Sequence, residues 1–411
     1  MNTRWYWIIG ALALISVILR QELLFLMSII LALVAGASAL WSRYCLVGVT
    51  YQRRFGSTRL YFGETVDLRM EITNAKPLPL AWLRVDDSIP TAMPLLSLQA
   101  EEDEPGERRQ LVNVLSLRWY ERVTRRYRVQ GTQRGEWSFG PAQLRSGDLF
   151  GFNIQRAVLE ETDNIVVFPR LVPVTALGLP ARYPFGDFRT PRRLVADPLR
   201  LMGVREYTQG DNFRDIHWKA TARRQTLQTK VFEPSANRPV VIALNISTAE
   251  YYYQGFDVNL REYAITAAAS LARQVWQAGQ PLGLVCNAHA PRTSRYIRIP
   301  PRSHPGQLIQ ILTALARVNE GHGRWPLETL LPIEAGHLPH GTTIVVISAV
   351  VTKKLEQTLI DLRRREYGVA LVALGKARLS APLPNIAYYH IGGEERWHDL
   401  VSSTGASLEL A

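Results

Sequence analysis

The sequence predicts a multidomain protein with two N-terminal transmembrane helices, a β-sandwich-like middle domain and a C-terminal α/β doubly wound domain. Three observations lead to this prediction: uncharged apolar runs begin the chain, alternating apolar and polar residues fill its middle, and apolar strands alternate with helices toward its end. Because the chain has 411 residues, it is too long for a single hydrophobic core. We place the domains at residues 1–43, 44–170 and 238–411, with residues 171–237 as a connector followed by a distinct charged and aromatic segment.

The N-terminus contains two apolar runs, residues 5–19 and 23–40, separated by Arg20-Gln21-Glu22. At a rise of about 1.5 Å per residue they span roughly 22 and 27 Å, so the pair crosses a bilayer only as a tight hairpin. Basic residues flank the hairpin at Arg4, Arg43, Arg53, Arg54 and Arg59. By the positive-inside rule, both ends and the soluble domains face the cytoplasm, which predicts a multi-pass protein of the cytoplasmic membrane attached through residues 5–40.

Two other interpretations of this hairpin exist. Ala37-Ser38-Ala39 resembles the cleavage site of a signal peptide, but the charged interruption and the total length favour a retained hairpin. A buried core hairpin is the second alternative, and it is disfavoured because the runs are apolar on every face.

The middle of the chain contains short alternating runs separated by turn residues, the pattern of antiparallel strands. Residues 66–72 alternate between apolar and polar side chains and end in the turn sequence Asn74-Ala75-Lys76-Pro77. Similar runs lie at residues 82–85, 111–117, 125–129 and 165–168. We therefore predict a β-sandwich of about seven short strands. The acidic run 101–104 is interpreted as a solvated loop, since it lacks the spaced ligands of a calcium loop.

After the connector, whose residues 171–199 are rich in Pro, Gly and Arg, strands and helices alternate. The predicted strands are residues 239–246, 281–286, 343–348 and 369–374, and the predicted helices are residues 260–277, 306–318 and 353–365. Apolar runs without alternation are typical of strands covered on both faces. This predicts a mostly parallel, doubly wound sheet whose binding edge lies at the carboxyl ends of its strands.

Residues 204–233 differ from ordinary α/β sequence because charged and aromatic residues are dense there. This segment resembles the signature of the bacterial family called domain of unknown function 58. The matching residues are Arg205, Tyr207, Gly210-Asp211, Arg214, Trp218-Lys219-Ala220-Thr221-Ala222-Arg223 and Lys230-Val231-Phe232-Glu233. The resemblance implies a C-terminal domain similar to the von Willebrand factor type A fold and a MoxR-type AAA+ ATPase as partner.

The same segment is a candidate binding surface on its residues alone. Residues 189–230 contain ten Lys or Arg and four Asp or Glu, an excess of six in a chain of net charge +12. Arginine and aromatic side chains are favoured in protein interfaces. The candidate partner-binding residues are Arg205, Tyr207, Asp211, Arg214, Trp218, Lys219, Arg223 and Lys230. Three alternatives remain: internal ion pairing, binding of single-stranded nucleic acid, and contact with anionic lipid.

The resemblance also implies a place where a metal site could exist. Type A folds hold a divalent ion with an Asp-x-Ser-x-Ser motif and a second aspartate. Here the motif reads Asn245-Ile246-Ser247-Thr248-Ala249, and Ser348 stands where another aspartate is common. Without these carboxylates we expect a degenerate site at Asn245, Ser247 and Ser348, with no bound metal or cofactor.

Catalytic motifs are also absent from the sequence. It contains no phosphate-binding loop, no dinucleotide fingerprint, no His-Glu-x-x-His and no nucleophile elbow. His337 and His340 lack further zinc ligands, and His217 is interpreted as a packed or hydrogen-bonded residue. With two cysteines only, the chain suits a reducing compartment. We expect a non-enzymatic, membrane-anchored adaptor, with a metal-dependent hydrolase or a nucleic-acid or lipid binder as alternatives.

Overall fold

The computed structural model describes residues 4–96, 106–149, 153–180, 196–209, 211–234, 238–290, 295–319 and 322–408. The acidic run 101–104 and Gly210 lie outside the described residues. Contacts divide the chain into two compact units, Met1–Phe168 and Pro169–Ala411. The protein is therefore multidomain, with helices and sheets in both units.

Two apolar helices begin the first unit, α1 (Arg4–Ile18) and α2 (Glu22–Tyr44). Only α2, with 23 residues, has the length and composition of a membrane span among the described residues. Helix α1 has 15 residues and spans about 22 Å, less than the roughly 30 Å of a bilayer core. The structure thus gives one candidate span where the sequence predicted two, and a helix so near the N-terminus fits a membrane anchor or a signal sequence.

The rest of the first unit is built from strands. Within its described residues these are β1 (Val49–Phe55), β2 (Arg59–Leu60), β3 (Thr65–Asn74), β4 (Leu80–Pro90), β5 (Arg108–Leu117), β6 (Arg122–Gln130), β7 (Gly135–Phe139), β8 (Ala142–Gly147), β9 (Ile154–Leu159) and β10 (Asp163–Val167). They form three sheets in the orders β1-β3-β6, β2-β10-β7 and β5-β4-β8-β9. The described residues of this unit therefore contain ten strands where about seven were expected, and the two-residue β2 is too short to show a pattern in the sequence.

One apolar core joins these sheets, which we call together the β-module. Strand β3 alternates strictly, and its Leu68, Met70 and Ile72 are at most 1% exposed. The last turns of α2 pack onto the same module: Ser38 Oγ donates to Asp148 Oδ2 at 2.6 Å, and the buried Cys45 lies in the core. The end of α2 is therefore part of the folded β-module.

The elements of the second unit begin with a hairpin and continue as an α/β domain. They are β11 (Ala196–Glu206), α3 (Trp218–Arg224), β12 (Gln228–Pro234), β13 (Val240–Leu244), α4 (Val258–Gln277), β14 (Leu282–His289), β15 (Tyr296–Arg302), α5 (Gln307–Ala316), α6 (Leu327–Ala335), β16 (Thr343–Ser348), α7 (Lys353–Arg364), β17 (Gly368–Ala373), β18 (Ala387–His390) and α8 (Glu394–Leu408).

Six of these strands form one sheet in the order β15-β14-β13-β16-β17-β18. All neighbours are parallel except β15, which runs antiparallel to β14. The chain moves to one side after β13 and to the other after β16, so the switch point of a doubly wound sheet lies between these two strands. The sequence did not predict β15, β18 or α6.

Residues 171–180 do not behave as the connector that the sequence predicted. Val172, Leu177 and Leu179 are at most 5% exposed, and the Val172 N–H donates to Ser270 Oγ on α4 at 3.0 Å. This stretch is therefore part of the second unit's core. Residues 181–195 of the predicted connector lie outside the described residues.

Candidate functional site

The signature segment folds as an antiparallel hairpin of β11 and β12, in which Val204 lies opposite Lys230. The chain between the strands holds a 3-10 turn, Phe213–Asp215, and then α3. His217 caps α3, because its Nδ1 accepts a hydrogen bond from the Ala220 N–H at 3.1 Å. The histidine therefore serves as a helix cap, in agreement with its interpretation as a hydrogen-bonded residue.

An ion pair stabilises the start of the segment that connects β11 and β12. Arg205 Nη2 lies 2.6 Å from Asp211 Oδ1, and the Thr208 N–H donates to Asp211 Oδ2 at 3.0 Å. The hydrogen bond from Arg205, followed by those from Thr208, lowers the pKa of Asp211 to about 2. Two of the eight candidate binding residues, Arg205 and Asp211, thus pair with each other. The internal-pairing alternative concerned Asp211, Arg214, Asp215, Arg223 and Arg224, and of these Asp211 is paired, with an arginine outside that set.

The tip of the hairpin is different, because its aromatic and basic side chains are exposed. Phe213 and Trp218 are 69% and 67% exposed, and Tyr207 packs beside Phe213 with ring centroids 5.6 Å apart. Arg214, Lys219 and Arg223 are also exposed, and none of them forms an ion pair within the described part of the chain. We call Phe213, Arg214, Trp218, Lys219 and Arg223 the aromatic-basic surface.

Lys230 completes the candidate set, and it is half-buried on β12 without an ion pair among the described residues. Phe213 was not among the candidate binding residues, although its aromatic type was a signal in the sequence. It lies in the 3-10 turn Phe213–Asp215, where the Arg214 N–H donates to Asn212 Oδ1 at 3.2 Å.

The degenerate metal site lies at the carboxyl ends of β13, β14 and β16, where a network of neutral side chains fills the switch point. Asn245 Nδ2 donates to Ser348 Oγ at 2.9 Å, and Asn245 Oδ1 accepts from Asn287 Nδ2 at 2.8 Å and from the Ser247 N–H at 3.1 Å. Ser247 Oγ in turn accepts from the Gly323 N–H at 3.0 Å. The three predicted residues do come together, with Asn287 and Gly323 as additional members.

These residues do not fit a divalent metal ion. Magnesium and calcium are held by carboxylates in most protein sites, and Asn245, Asn287 and Ser348 offer amide and hydroxyl groups only. Both polar atoms of the Asn245 amide already have protein partners, and Ser348 is fully buried. The network therefore satisfies itself without an ion.

We predict that Asn245→Asp destabilises the second unit by about 1–3 kcal/mol at neutral pH. The substitution removes the amide that donates to Ser348 and adds a charge at a position that is 8% exposed. Burial raises the pKa of the introduced carboxyl, so the loss should shrink at mildly acidic pH, where the group is protonated. Thermal unfolding at neutral and at mildly acidic pH measures the loss of stability. The control is Asn259→Asp in the first turn of α4, where the helix dipole favours a carboxylate; a variant as stable as the wild type at neutral pH would contradict a closed neutral network.

A separate cavity of about 520 Å³ lies beside this edge, and its lining includes Asp257, Lys376 and Glu394. Asp257 caps α4, because its Oδ1 accepts from the Leu260 N–H at 3.0 Å. The hydrogen bond and the charge of Asp257 raise the pKa of Glu394 above its ordinary value. The nearby charges of His398 and Lys376 oppose this rise in the pKa of Glu394.

Histidine and cysteine give no convergent set in the part of the chain that the structure describes. No three His, Cys, Asp or Glu side chains there are placed to hold a metal ion. His337 Nδ1 lies 2.9 Å from the Ile333 carbonyl oxygen, and both cysteines, Cys45 and Cys286, are buried and free.

One curated protein similar to this chain is the uncharacterized protein YeaD of Bacillus subtilis strain 168, which is 24% identical over 312 residues, covering 69% of this chain and 70% of that protein. Among solved structures, trypsin-activated α-2-macroglobulin from Escherichia coli is 20% identical with a TM-score of 0.22, covering 29% of this chain and 7% of that one. The CARDB domain of the PF1109 protein from Pyrococcus furiosus, solved with di-metal ions, is 13% identical with a TM-score of 0.19, covering 29% and 91%.

TM-scores of this size carry no argument about fold or function. The family comparison is more informative because it falls on the signature hairpin and the α/β sheet together. Residues 203–398 match the family model described as protein of unknown function DUF58.

Proposed function

We propose that this protein is a membrane-anchored, non-enzymatic adaptor that binds a cytoplasmic protein through the aromatic-basic surface. The observation that carries the proposal is the combination of two aromatic side chains about two-thirds exposed, Phe213 and Trp218, with three cations that lack ion pairs among the described residues. Exposed aromatic and arginine side chains dominate the energetics of interfaces. The surface suits an acidic partner, and the family resemblance suggests a MoxR-type AAA+ ATPase.

The contacts of α2 support a retained anchor over a cleaved signal sequence. Ser38 and Ser42 are buried against the β-module, where Ser38 Oγ donates to Asp148 and Ser42 Oγ donates to the Asn153 carbonyl at 3.4 Å. Cleavage after Ala39 would remove Ser38 from this contact and leave Asp148 without that donor. The apolar α1 packs against α2 as a hairpin, and the basic residues at both of its ends favour cytoplasmic soluble units.

The strand order supports the likeness to the von Willebrand factor type A fold, because it brings the ends of β13 and β16 side by side as in a doubly wound sheet. At that point such folds commonly bind a metal, whereas this chain has the neutral network around Asn245. The substitution of amide and hydroxyl groups for carboxylates favours an adaptor over a metal-dependent hydrolase.

Affinity capture with the detergent-solubilised full chain tests the proposal. We expect the wild type to retain an ATPase of the MoxR class from a lysate of the native host, and a variant with Arg214, Lys219 and Arg223 changed to alanine to retain at least about tenfold less. A matched control changes the exposed Arg302, Lys353 and Lys354 to alanine, which removes the same charge from other parts of the second unit.

Equal retention of the ATPase by the wild type and both variants would show that the aromatic-basic surface does not bind it. Recovery of nucleic acid by the wild type, lost steeply as salt rises, would favour the nucleic-acid alternative instead.

A further inference from the structure

The outer face of the sheet β5-β4-β8-β9 carries three arginines side by side. The strand register places Arg84 opposite Arg145 and Arg145 opposite Arg156. Like charges directly opposite one another destabilise a sheet. Asp86 lies 2.7 Å from Arg84 Nε and 3.4 Å from Arg145 Nε, whereas Arg156 is exposed and has no ion pair among the described residues. One carboxylate therefore pairs with two of three neighbouring guanidinium groups. We call Arg84, Arg145 and Arg156 the arginine row.

Apolar side chains surround the arginine row on the same face. Val112, Val114, Ile154 and Val158 are between 45% and 60% exposed. They occupy positions that are polar in an antiparallel sheet with one face in water. A cavity of about 610 Å³ lies on this face and is lined in part by Arg84, Arg145 and Val158. Arginine beside exposed aliphatic side chains is the composition of elements that lie at a membrane surface.

The face also lies close to the apolar helix. Ser38 and Ser42 of α2 contact Asp148 and Asn153, which flank the connection between β8 and β9. Arg145 lies three residues before Asp148 in the chain, and at about 3.4 Å per strand residue this separation is roughly 10 Å. The arginine row is therefore within about one lipid headgroup layer of the point where α2 joins the β-module.

The length of α2 brings the β-module toward the lipid. The helix begins at Glu22, and its first hydrogen bond to the β-module is that of Ser38, so about 16 residues remain for the apolar layer. They span roughly 24 Å, which is shorter than the roughly 30 Å of a bilayer core. A short span is accommodated by thinning of the bilayer and by flanking residues that enter the interface.

We propose that the outer face of this sheet binds the anionic headgroups of the membrane that α2 enters. The arginine row contacts lipid phosphates through paired N–H groups, and the exposed valines and Ile154 enter the interfacial layer. Bound phosphate relieves the repulsion along the row. This inference rests on the proposed membrane attachment and adds the lipid class that the β-module recognises.

The test uses the full chain in lipid nanodiscs of phosphatidylcholine with increasing fractions of phosphatidylglycerol. A dye is attached to Val158→Cys, which labels selectively because Cys45 and Cys286 are buried. Quenching by a lipid with a spin-labelled headgroup reports how close the dye lies to the headgroups. The control dye is on Thr124→Cys, an exposed position of β6 in a different sheet. We expect quenching at position 158 that rises with phosphatidylglycerol, and little quenching at position 124.

Arg156→Gln is the decisive variant because this side chain has no ion pair among the described residues and its loss leaves both ion pairs of Asp86 in place. The fraction of phosphatidylglycerol that gives half-maximal quenching should rise about fivefold, the effect of one cation at an anionic surface. Without phosphatidylglycerol the variant should unfold at the same temperature as the wild type or higher, since a like-charge contact is removed.

Three results would overturn the inference. Quenching at position 158 that ignores phosphatidylglycerol or the Arg156→Gln change would refute headgroup recognition. Absence of quenching in a chain that inserts normally would refute contact with lipid while membrane attachment stands, and a dimer broken by Val158→Arg would then assign the face to a second copy. A chain that does not insert into nanodiscs would refute the proposed attachment itself.

Discussion

Replacing Arg53 with alanine is expected to destabilise the β-module by about 3–5 kcal/mol. The Arg53 side chain is 3% exposed, and its Nη1 lies 2.7 Å from Oδ1 of Asp87, which is fully buried. Its Nε lies 2.9 Å from Asp163 Oδ2, so one guanidinium joins β1 to β4 and β10. Removing the cation leaves the Asp87 charge buried with Tyr51 as its remaining side-chain partner, whose hydroxyl donates at 2.6 Å.

The pH dependence of this loss identifies its cause. Burial raises the pKa of Asp87, while Tyr51 and Arg53 oppose the shift, so removal of Arg53 raises it further. A carboxyl whose pKa is raised in the folded state destabilises the folded protein as pH rises through that range, and its protonation restores the stability. We therefore expect the difference in unfolding temperature between Arg53→Ala and the wild type to shrink as pH falls from neutral toward 4.

The neighbouring Arg54 is the matched control for Arg53. Its side chain is 64% exposed and its Nε lies 3.6 Å from Glu71, so Arg54→Ala should cost less than about 1 kcal/mol. Thermal unfolding of the two solubilised variants measures the difference. Equal losses for both, or a loss for Arg53→Ala that does not depend on pH, would contradict the importance of the buried ion pair.

The second large effect concerns the aromatic-basic surface. Trp218→Ala should weaken binding of the partner by about 2–4 kcal/mol, roughly thirtyfold to a thousandfold in Kd. The indole is 67% exposed, so its burial against a partner removes a large apolar area from water, and its loss removes little from the folded chain. Phe213→Ala should have a similar effect, since its ring is 69% exposed and lies in the same segment.

The control for these substitutions is Tyr252→Ala. Tyr252 is 83% exposed in the same unit but lies after β13, outside the aromatic-basic surface. Titration calorimetry with the captured partner gives the Kd, and unchanged unfolding temperatures establish that the variants fold. If Tyr252→Ala weakens binding and Trp218→Ala does not, the contact lies at the carboxyl edge of the sheet instead.

Elements with strong patterns were predictable from the sequence. Both apolar runs form helices, and β13, β14, β16 and β17 overlap the four predicted strands because buried parallel strands are apolar throughout. The end of α2 was not predictable, since the hydropathy run stops at Leu40 whereas the helix continues to Tyr44. That extension packs Trp41 and Ser42 against the β-module, a tertiary contact with no local signature.

Buried charges and edge strands account for much of the difference between the predicted and the observed strands. Strand β4 runs from Leu80 to Pro90, but the sequence predicted only residues 82–85 because Asp86 and Asp87 interrupt the apolar pattern. Asp87 pairs with Arg53 on another strand, and Asp86 pairs with the distant Arg145 as well as with Arg84, two residues before it. Strand β18 is half-buried at the edge of the sheet, so its pattern is weak.

The candidate site was predictable as a segment and less so residue by residue. Composition located the hairpin, but it did not separate Arg205 and Asp211, which pair with each other, from the exposed Arg214 and Lys219. The arginine row could not be predicted at all, since Arg84, Arg145 and Arg156 become neighbours only through the strand register.

Site-specific photocross-linking at position 218 tests the central claim most directly. A photoreactive phenylalanine analogue replaces Trp218 in the full-length, membrane-inserted chain, and a second protein carries it at Tyr252. We expect a cross-link from position 218 to a cytoplasmic AAA+ ATPase and none from position 252. An ATPase that cross-links only from position 252, or no protein captured at position 218, would contradict an adaptor that works through the aromatic-basic surface.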